Sequence, residues 1–160
     1  MLIIVMGVSG AGKTTVGRAL ADGIGATFLD ADDFHPPANV AKMRAGRPLD
    51  DADRAPWLAR LHDALADRAA RGESVVMACS ALKASYRREL SSGLDVRVVH
   101  LAGNRETIAA RLARRSGHYM PAGLLESQFD ALEAPADAVT VDVDAAPADI
   151  VARIRAALAR

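Results

Sequence analysis

Gly7-Val8-Ser9-Gly10-Ala11-Gly12-Lys13-Thr14 is the stretch on which the reading of the whole chain turns. It follows the apolar run Leu2-Ile3-Ile4-Val5-Met6. It leads into a helical pattern in which Val16, Leu20 and Ile24 recur at helical spacing until Gly25 stops it. Strand, glycine-rich loop and helix in that order match G-x-x-x-x-G-K-[ST] in full, the motif of a phosphate-binding loop. The glycines let successive N–H groups from Gly7 to Thr15 turn inward toward phosphate oxygens, and the helix that starts near Lys13 adds the positive end of its dipole. Lys13 is expected to reach the β- and γ-phosphates and the Thr14 hydroxyl to ligate Mg²⁺. A turn that is merely rich in glycine is common where a strand meets a helix. The matched positions in the right flanking context argue against that reading.

A chain of 160 residues is one domain of ordinary size. Lys plus Arg and Asp plus Glu both number 20, so the charge balance supplies no pull toward nucleic acid or an anionic membrane. The phosphates bound are then expected to be those of a small molecule. Cys79 stands alone and cannot form an internal disulfide. The first apolar run is short and lacks a basic flank, and no stretch approaches the roughly 20 apolar residues of a membrane span. A soluble cytoplasmic protein is the expectation.

Further along, Ala26-Thr27-Phe28-Leu29 reads as a short buried strand that delivers Asp30-Ala31-Asp32-Asp33 at its carboxyl end, where ligands bind in open parallel sheets. A lone Asp there would be a helix cap or a solvated turn; paired acids facing a phosphate loop suggest a metal or base role, with Asp32 the leading candidate. Residues of about 34–56 form a polar insert, and a helix is expected from Asp53 or Arg54 to about Arg71 with Trp57, Leu58, Leu61 and Leu65 on its apolar face. Val75-Val76-Met77-Ala78 is an apolar strand that ends in Cys79-Ser80-Ala81-Leu82-Lys83 rather than in an acid, so another carboxylate must complete the metal site. Cys79 reads as a small buried hydrophobe. Val96–Leu101 and Val139–Val143 are further strands, and Pro147 starts the last helix at a first-turn position.

Asn104 can cap a helix carrying Arg111, Arg114 and Arg115. Such a charge run is ordinarily a solvated face. The break at Gly117-His118-Tyr119-Met120-Pro121, before a second amphipathic helix, instead suggests a small helical lid over about residues 111–123. In that geometry Arg111 faces the adenine side and Arg115 the transferred phosphate. Strands alternating with helices throughout imply a three-layer α/β fold, a parallel sheet with helices on both faces.

Taken together, these motifs resemble the gluconokinase family, within the shikimate-kinase and adenylate-kinase-like P-loop phosphotransferases. The matched stretches are the P-loop, Asp30-x-Asp32 with His35-Pro36, Asn39-x-x-Lys42-Met43 and Gly46-x-Pro48-Leu49. Asp53-Arg54-x-Pro56-Trp57-Leu58, Cys79-Ser80-Ala81-Leu82-Lys83-x-x-Tyr86-Arg87, Gly117-His118 and Gln128-Phe129 complete the set. Ala31 departs from the Gly that the family usually carries between the paired acids. The resemblance implies a five-stranded sheet of order 2-3-1-4-5, a homodimer, ATP with Mg²⁺, and phosphorylation of D-gluconate on its 6-hydroxyl. It also implies substrate contacts at Lys83, His118 and Gln128, and Pro147 against adenine. The residue types themselves suit an anionic polyol, since His35, Asn39, Lys42, Arg54, Tyr86 and Arg87 supply cations and hydroxyl partners. Lys13, Asp32 and Arg115 are the expected catalytic residues, and Asp32 could accept the hydroxyl proton or hold a metal-bound water. A nucleoside-monophosphate or shikimate-type kinase would share the loop but need other acceptor motifs. A non-catalytic nucleotide switch would leave the insert and the arginines without purpose.

Overall fold

The structure is a computed structural model and describes residues 1–114 and 122–160. Five parallel strands form one sheet in the order β2-β3-β1-β4-β5, with β1 Leu2–Met6, β2 Thr27–Asp30, β3 Val75–Ala78, β4 Val96–Ala102 and β5 Val139–Asp142. β1 lies in the middle with every residue buried, which is why its sequence is an unbroken apolar run. Side chains alternate along it. Ile3 and Val5 enter one core with Val16, Leu20, Ile150 and Ile154, whereas Leu2, Ile4 and Met6 enter the other with Trp57, Leu61, Leu65 and Leu90. Helices α1 (Lys13–Ile24) and α7 (Pro147–Leu158) therefore cover one face and α3 (Asp51–Ala70) and α4 (Ala84–Ser91) the other. Each large apolar side chain so buried contributes about 1.5–3 kcal/mol.

Two expectations are corrected. The second strand runs Thr27–Asp30 and is not buried: Thr27 is exposed and Phe28 to Asp30 are half-buried, because β2 is an edge strand whose one neighbour is β3. α3 begins at Asp51, earlier than its apolar stripe suggests. Asp50 accepts from the Asp53 amide at 2.7 Å while Asp53 accepts from the Asp50 amide at 3.0 Å, a reciprocal cap written with two aspartates.

Between β2 and α3 the chain makes a 3₁₀ turn at Ala31–Phe34 and a short helix, α2 (Pro37–Arg44). α5 (Arg105–Arg114) follows β4 and is capped by Asn104, whose side chain accepts from the Thr107 amide at 2.8 Å. α6 (Ala122–Ala131) comes next, and its Leu125 and Phe129 pack on the α1/α7 core. Among the described residues no helix is long and apolar enough to cross a membrane.

Candidate active site

All five strands point their carboxyl ends the same way, and the P-loop leaves the end of the central one, at the edge where the chain reverses between neighbouring connections. Gly12 turns the backbone at φ 92°, a left-handed conformation, and α1 begins at the next residue. Gly10 has a second reason to be glycine, since a Cβ there would meet Leu112 Cγ of α5 at 2.8 Å. Lys13 Nζ donates to the Val8 carbonyl at 3.0 Å, folding the lysine over the loop.

At the adjacent strand end, the Thr14 hydroxyl donates to Asp30 Oδ2 at 3.3 Å, and Asp30 Oδ1 accepts the Asp32 amide at 3.0 Å. Asp30 thus caps the 3₁₀ turn and meets the P-loop threonine with the same carboxylate, so the acid beside Thr14 is Asp30 where sequence reasoning favoured Asp32. The Asp32 carboxyl keeps a face open to water but is crowded by protein. That desolvation, followed by repulsion from Asp30, raises its pKa above the usual carboxylate value, and Lys13 opposes the shift. Two neighbouring carboxylates and a hydroxyl are hard oxygen donors of the kind Mg²⁺ takes along with water and phosphate oxygens, and a cation would relieve their mutual repulsion. The residues present fit that ion. No three His, Cys, Asp or Glu side chains cluster as a ligand set among the described residues.

On one side of the loop lies a cleft of about 290 Å³ lined by Gly10, Gly12, Thr15, Arg111, Arg114 and Pro147, with Ala11, Val16, Ala145 and Ile150 completing its wall. Arg111 Nη2 also donates to the Val143 carbonyl. The structure therefore brings Arg111 and Pro147 together against the P-loop, and adds Arg114.

Polar residues of the insert assemble on the other side. The His35 ring stacks on Trp57 with centroids 4.2 Å apart and an angle of 11°, while Trp57 Nε1 donates to the Ala31 carbonyl at 2.7 Å, tying both rings to the turn that carries Asp32. Burial first, and then the Arg54 charge, push the His35 imidazole down to about 4, so it is neutral at pH 7. Asn39, buried, donates to His35 Nδ1 at 3.2 Å and to the Asp53 carbonyl at 2.9 Å. Lys42 Nζ lies 2.6 Å from Asp53 Oδ2. Arg54 donates to the Leu49 carbonyl and, at 3.2 Å, to the Tyr86 hydroxyl. That hydroxyl donates to Asp51 Oδ1 at 2.5 Å, and Lys83 reaches the same oxygen at 3.4 Å. Asp51 and Asp53, neither of them among the expected site residues although Asp53 opens a matched motif, hold these cations; the aspartate-rich start of α3 was the available signal.

Two expected substrate residues hydrogen-bond to groups of the protein. Arg87 sends Nη1 to the carbonyls of Ala81 and Leu82 and Nη2 to that of Glu133. Ala81 has a left-handed φ of 44°, so the guanidinium clamps a strained turn through both of its terminal nitrogens. Gln128 lies against P-loop Ser9: its Oε1 accepts the Ser9 amide at 2.7 Å, and its Nε2 donates to Ser9 Oγ at 3.3 Å. Arg115 and His118, with the expected hinge at 117–121, lie outside the described residues. Cys79 is buried and burial pushes its thiol up to about 12, which leaves it protonated and unreactive.

A phosphate loop at the carboxyl edge of a 2-3-1-4-5 parallel sheet, with a nucleoside-sized cleft on one flank and a polar insert on the other, defines a P-loop kinase. A family model described as an AAA domain matches residues 2–140. The chain belongs to the gluconokinase family. It is 52% identical over 136 residues to the gluconokinase of Gluconobacter oxydans (strain 621H), which covers 84% of this chain and 76% of the relative. It is 45% identical over 160 residues to the thermosensitive gluconokinase of Escherichia coli (strain K12), covering 97% and 86%. The crystal structure of a gluconokinase from Sinorhizobium meliloti 1021 superimposes with a TM-score of 0.89 at 46% identity, over 99% of this chain and 91% of that one.

Proposed function

We propose that the protein transfers the γ-phosphoryl group of ATP to the 6-hydroxyl of D-gluconate, giving 6-phosphogluconate and ADP. The observation that carries this reading is the cluster of His35, Asn39, Lys42, Arg54, Lys83 and Tyr86 beside the turn that holds Asp32. An anionic polyol needs cations for its carboxylate and mixed donors and acceptors for its hydroxyls, and the insert of about 34–56 supplies both. The reading takes the chain as a single kinase domain, with Arg111 and Arg114 of α5 beside the nucleotide.

In the reaction the 6-hydroxyl oxygen bonds to Pγ as the bond from Pγ to the bridging oxygen breaks, and ADP leaves. Asp32 takes the hydroxyl proton; its raised pKa makes it a better base than an ordinary carboxylate. Lys13 and the loop amides meet the charge on the equatorial oxygens, which matters because the transition state is loose and positioning dominates. Thr14 and Asp30 would hold Mg²⁺, which when bound neutralises charge between the β- and γ-phosphates. Arg111, Pro147 and the cleft beside Thr15 take the nucleoside. The reading also includes a cytoplasmic homodimer, acting on neither nucleic acid nor membrane, in keeping with 20 basic and 20 acidic residues; light scattering in solution tests the dimer.

ADP release measured over gluconate, other sugar acids, shikimate and nucleoside monophosphates tests the activity. Gluconate should stimulate release most. Greater stimulation by shikimate or a nucleoside monophosphate would replace the acceptor, and ATP binding with no acceptor-stimulated release would indicate a nucleotide switch.

A further inference from the structure

Gln128 is the one side chain of α6 with hydrogen bonds to the P-loop among the described residues, and it makes two of them to a single residue, Ser9. The Ser9 amide can only donate, so the carboxamide oxygen must face it, and the carboxamide nitrogen is thereby turned to Ser9 Oγ. A hydroxyl has one proton and two lone pairs. Because Oγ accepts from Nε2, the Ser9 proton remains to be given to another acceptor. Next to Ser9, the Val8 carbonyl takes Lys13 Nζ at 3.0 Å, so the loop lysine folds back onto the residue that precedes Ser9.

The helix that presents Gln128 is tied to its neighbours at several points. Arg105 of α5 bridges both Glu126 oxygens at 2.9 and 2.6 Å and lies over the Phe129 ring. Just beyond α6, the Glu133 amide donates to the Leu82 carbonyl at 2.8 Å, Arg87 donates to the Glu133 carbonyl, and the Glu133 carboxylate accepts the Ala84 amide at 3.1 Å. A side chain held on such a helix can fix a hydroxyl in a loop that otherwise has torsional freedom.

We propose that the Ser9 hydroxyl is a catalytic group that donates a hydrogen bond to the phosphoryl group in transfer, and that Gln128 is the positioning residue that aims it. This rests on the kinase reading and adds two side-chain roles to it. No proton changes owner, and the contact is strongest when negative charge spreads over the phosphoryl oxygens, so its loss falls on kcat more than on ATP binding.

The test is a double-mutant cycle of Ser9→Ala and Gln128→Leu in the full chain, read as kcat and ATP KM with gluconate. A parallel titration measures binding of ADP alone and of ADP with aluminium fluoride, a mimic of the transferred group. Ser9→Ala should lower kcat at least about 10-fold with ATP KM within about three-fold. Gln128→Leu should fall in the same direction, and the double variant should be no worse than Ser9→Ala alone, because Gln128 acts through the hydroxyl. Ser9→Ala should weaken the aluminium fluoride complex and leave ADP binding unchanged. Wild-type kcat in Ser9→Ala, or losses that multiply in the double variant, would overturn the proposal. Failure of the wild type to turn over gluconate would count against the acceptor assignment, while the aluminium fluoride titration would still decide the role of Ser9.

Discussion

The Thr14 hydroxyl donates to one oxygen of Asp30 across 3.3 Å, and the other oxygen of that carboxylate accepts the Asp32 amide at 3.0 Å. One aspartate therefore links the P-loop to the turn that carries its neighbour, and the proposed reading gives the two acids different work.

Asp30→Asn should weaken the site for its cation. It keeps the shape, but the carboxylate charge beside Thr14 is gone, so the Mg²⁺ concentration needed for half-maximal activity should rise about 10-fold or more, with recovery at high Mg²⁺ or Mn²⁺. A Mg²⁺ titration of the steady-state rate checks this. An unchanged midpoint would leave Asp30 as a turn cap only.

Asp32→Asn should behave in the opposite way, with kcat down at least about 100-fold at any metal concentration, in the range for losing a general base. The fold raises the pKa of this carboxyl, so the wild-type acidic limb of kcat/KM should lie above the ordinary aspartate value of 3.8. The sign for stability follows. A raised carboxyl pKa means the native state disfavours the ionised form, so at pH 7 the substitution should leave Tm unchanged or slightly higher while activity is lost. Rescue by Mn²⁺ would move Asp32 into the metal shell.

The P-loop and the sheet were legible because each is written locally: a full motif after an unbroken apolar run, and strands alternating with amphipathic helices. β2 was misjudged as buried because strand order is a property of the whole sheet, and Thr27 shows its edge position only once β3 is placed. The start of α3 was placed too late because Asp50 and Asp53 cap each other without the Ser/Thr and Glu/Gln that mark such boxes. Arg87 and Gln128 lay in motifs the sequence could flag, but one partner of Arg87, the Glu133 carbonyl, is 46 residues away, and Ser9, the partner of Gln128, is 119 residues away. A motif can mark a residue for attention; it carries no information about which long-range group that residue meets.

His35 makes a prediction about acid stability. Its imidazole is held neutral against Trp57 with a pKa of about 4 instead of 6.5. Between those values the unfolded chain binds a proton that the native state does not, so stability should be lost as pH falls from 6.5 toward 4. His100, lowered by burial and by Arg87, adds to the slope in the same direction. His35→Phe keeps a ring on Trp57 and removes the titration, so its urea midpoint should fall less between pH 7 and pH 4.5 than that of the wild type. Parallel curves for the two proteins would show that the stack does not depend on a neutral imidazole.

Arg111 is poised to affect nucleotide binding twice over. It lines the cleft beside Thr15 and Pro147, and its Nη2 holds the Val143 carbonyl at the end of β5, from which the turn to Pro147 departs. On the proposed reading, removing it takes a cation from the nucleotide site and also loosens the wall on which Pro147 is mounted. A contact to the nucleoside side would be made equally in the bound and transition states, so the loss should fall on affinity. Arg111→Ala should raise the ATP KM about 10-fold, equivalent to roughly 1.4 kcal/mol, with kcat within about three-fold and the gluconate KM unchanged. Arg111→Lys should recover only part of the loss, since an ammonium lacks the planar fork that can serve a carbonyl and a ligand together. Pro147→Gly should raise the ATP KM in the same direction without touching the cation. Steady-state kinetics of the three variants with ATP varied at saturating gluconate separate the outcomes. A fall in kcat at unchanged ATP KM for Arg111→Ala would place this arginine over the transferred phosphate and reverse the direction in which α5 lies across the nucleotide.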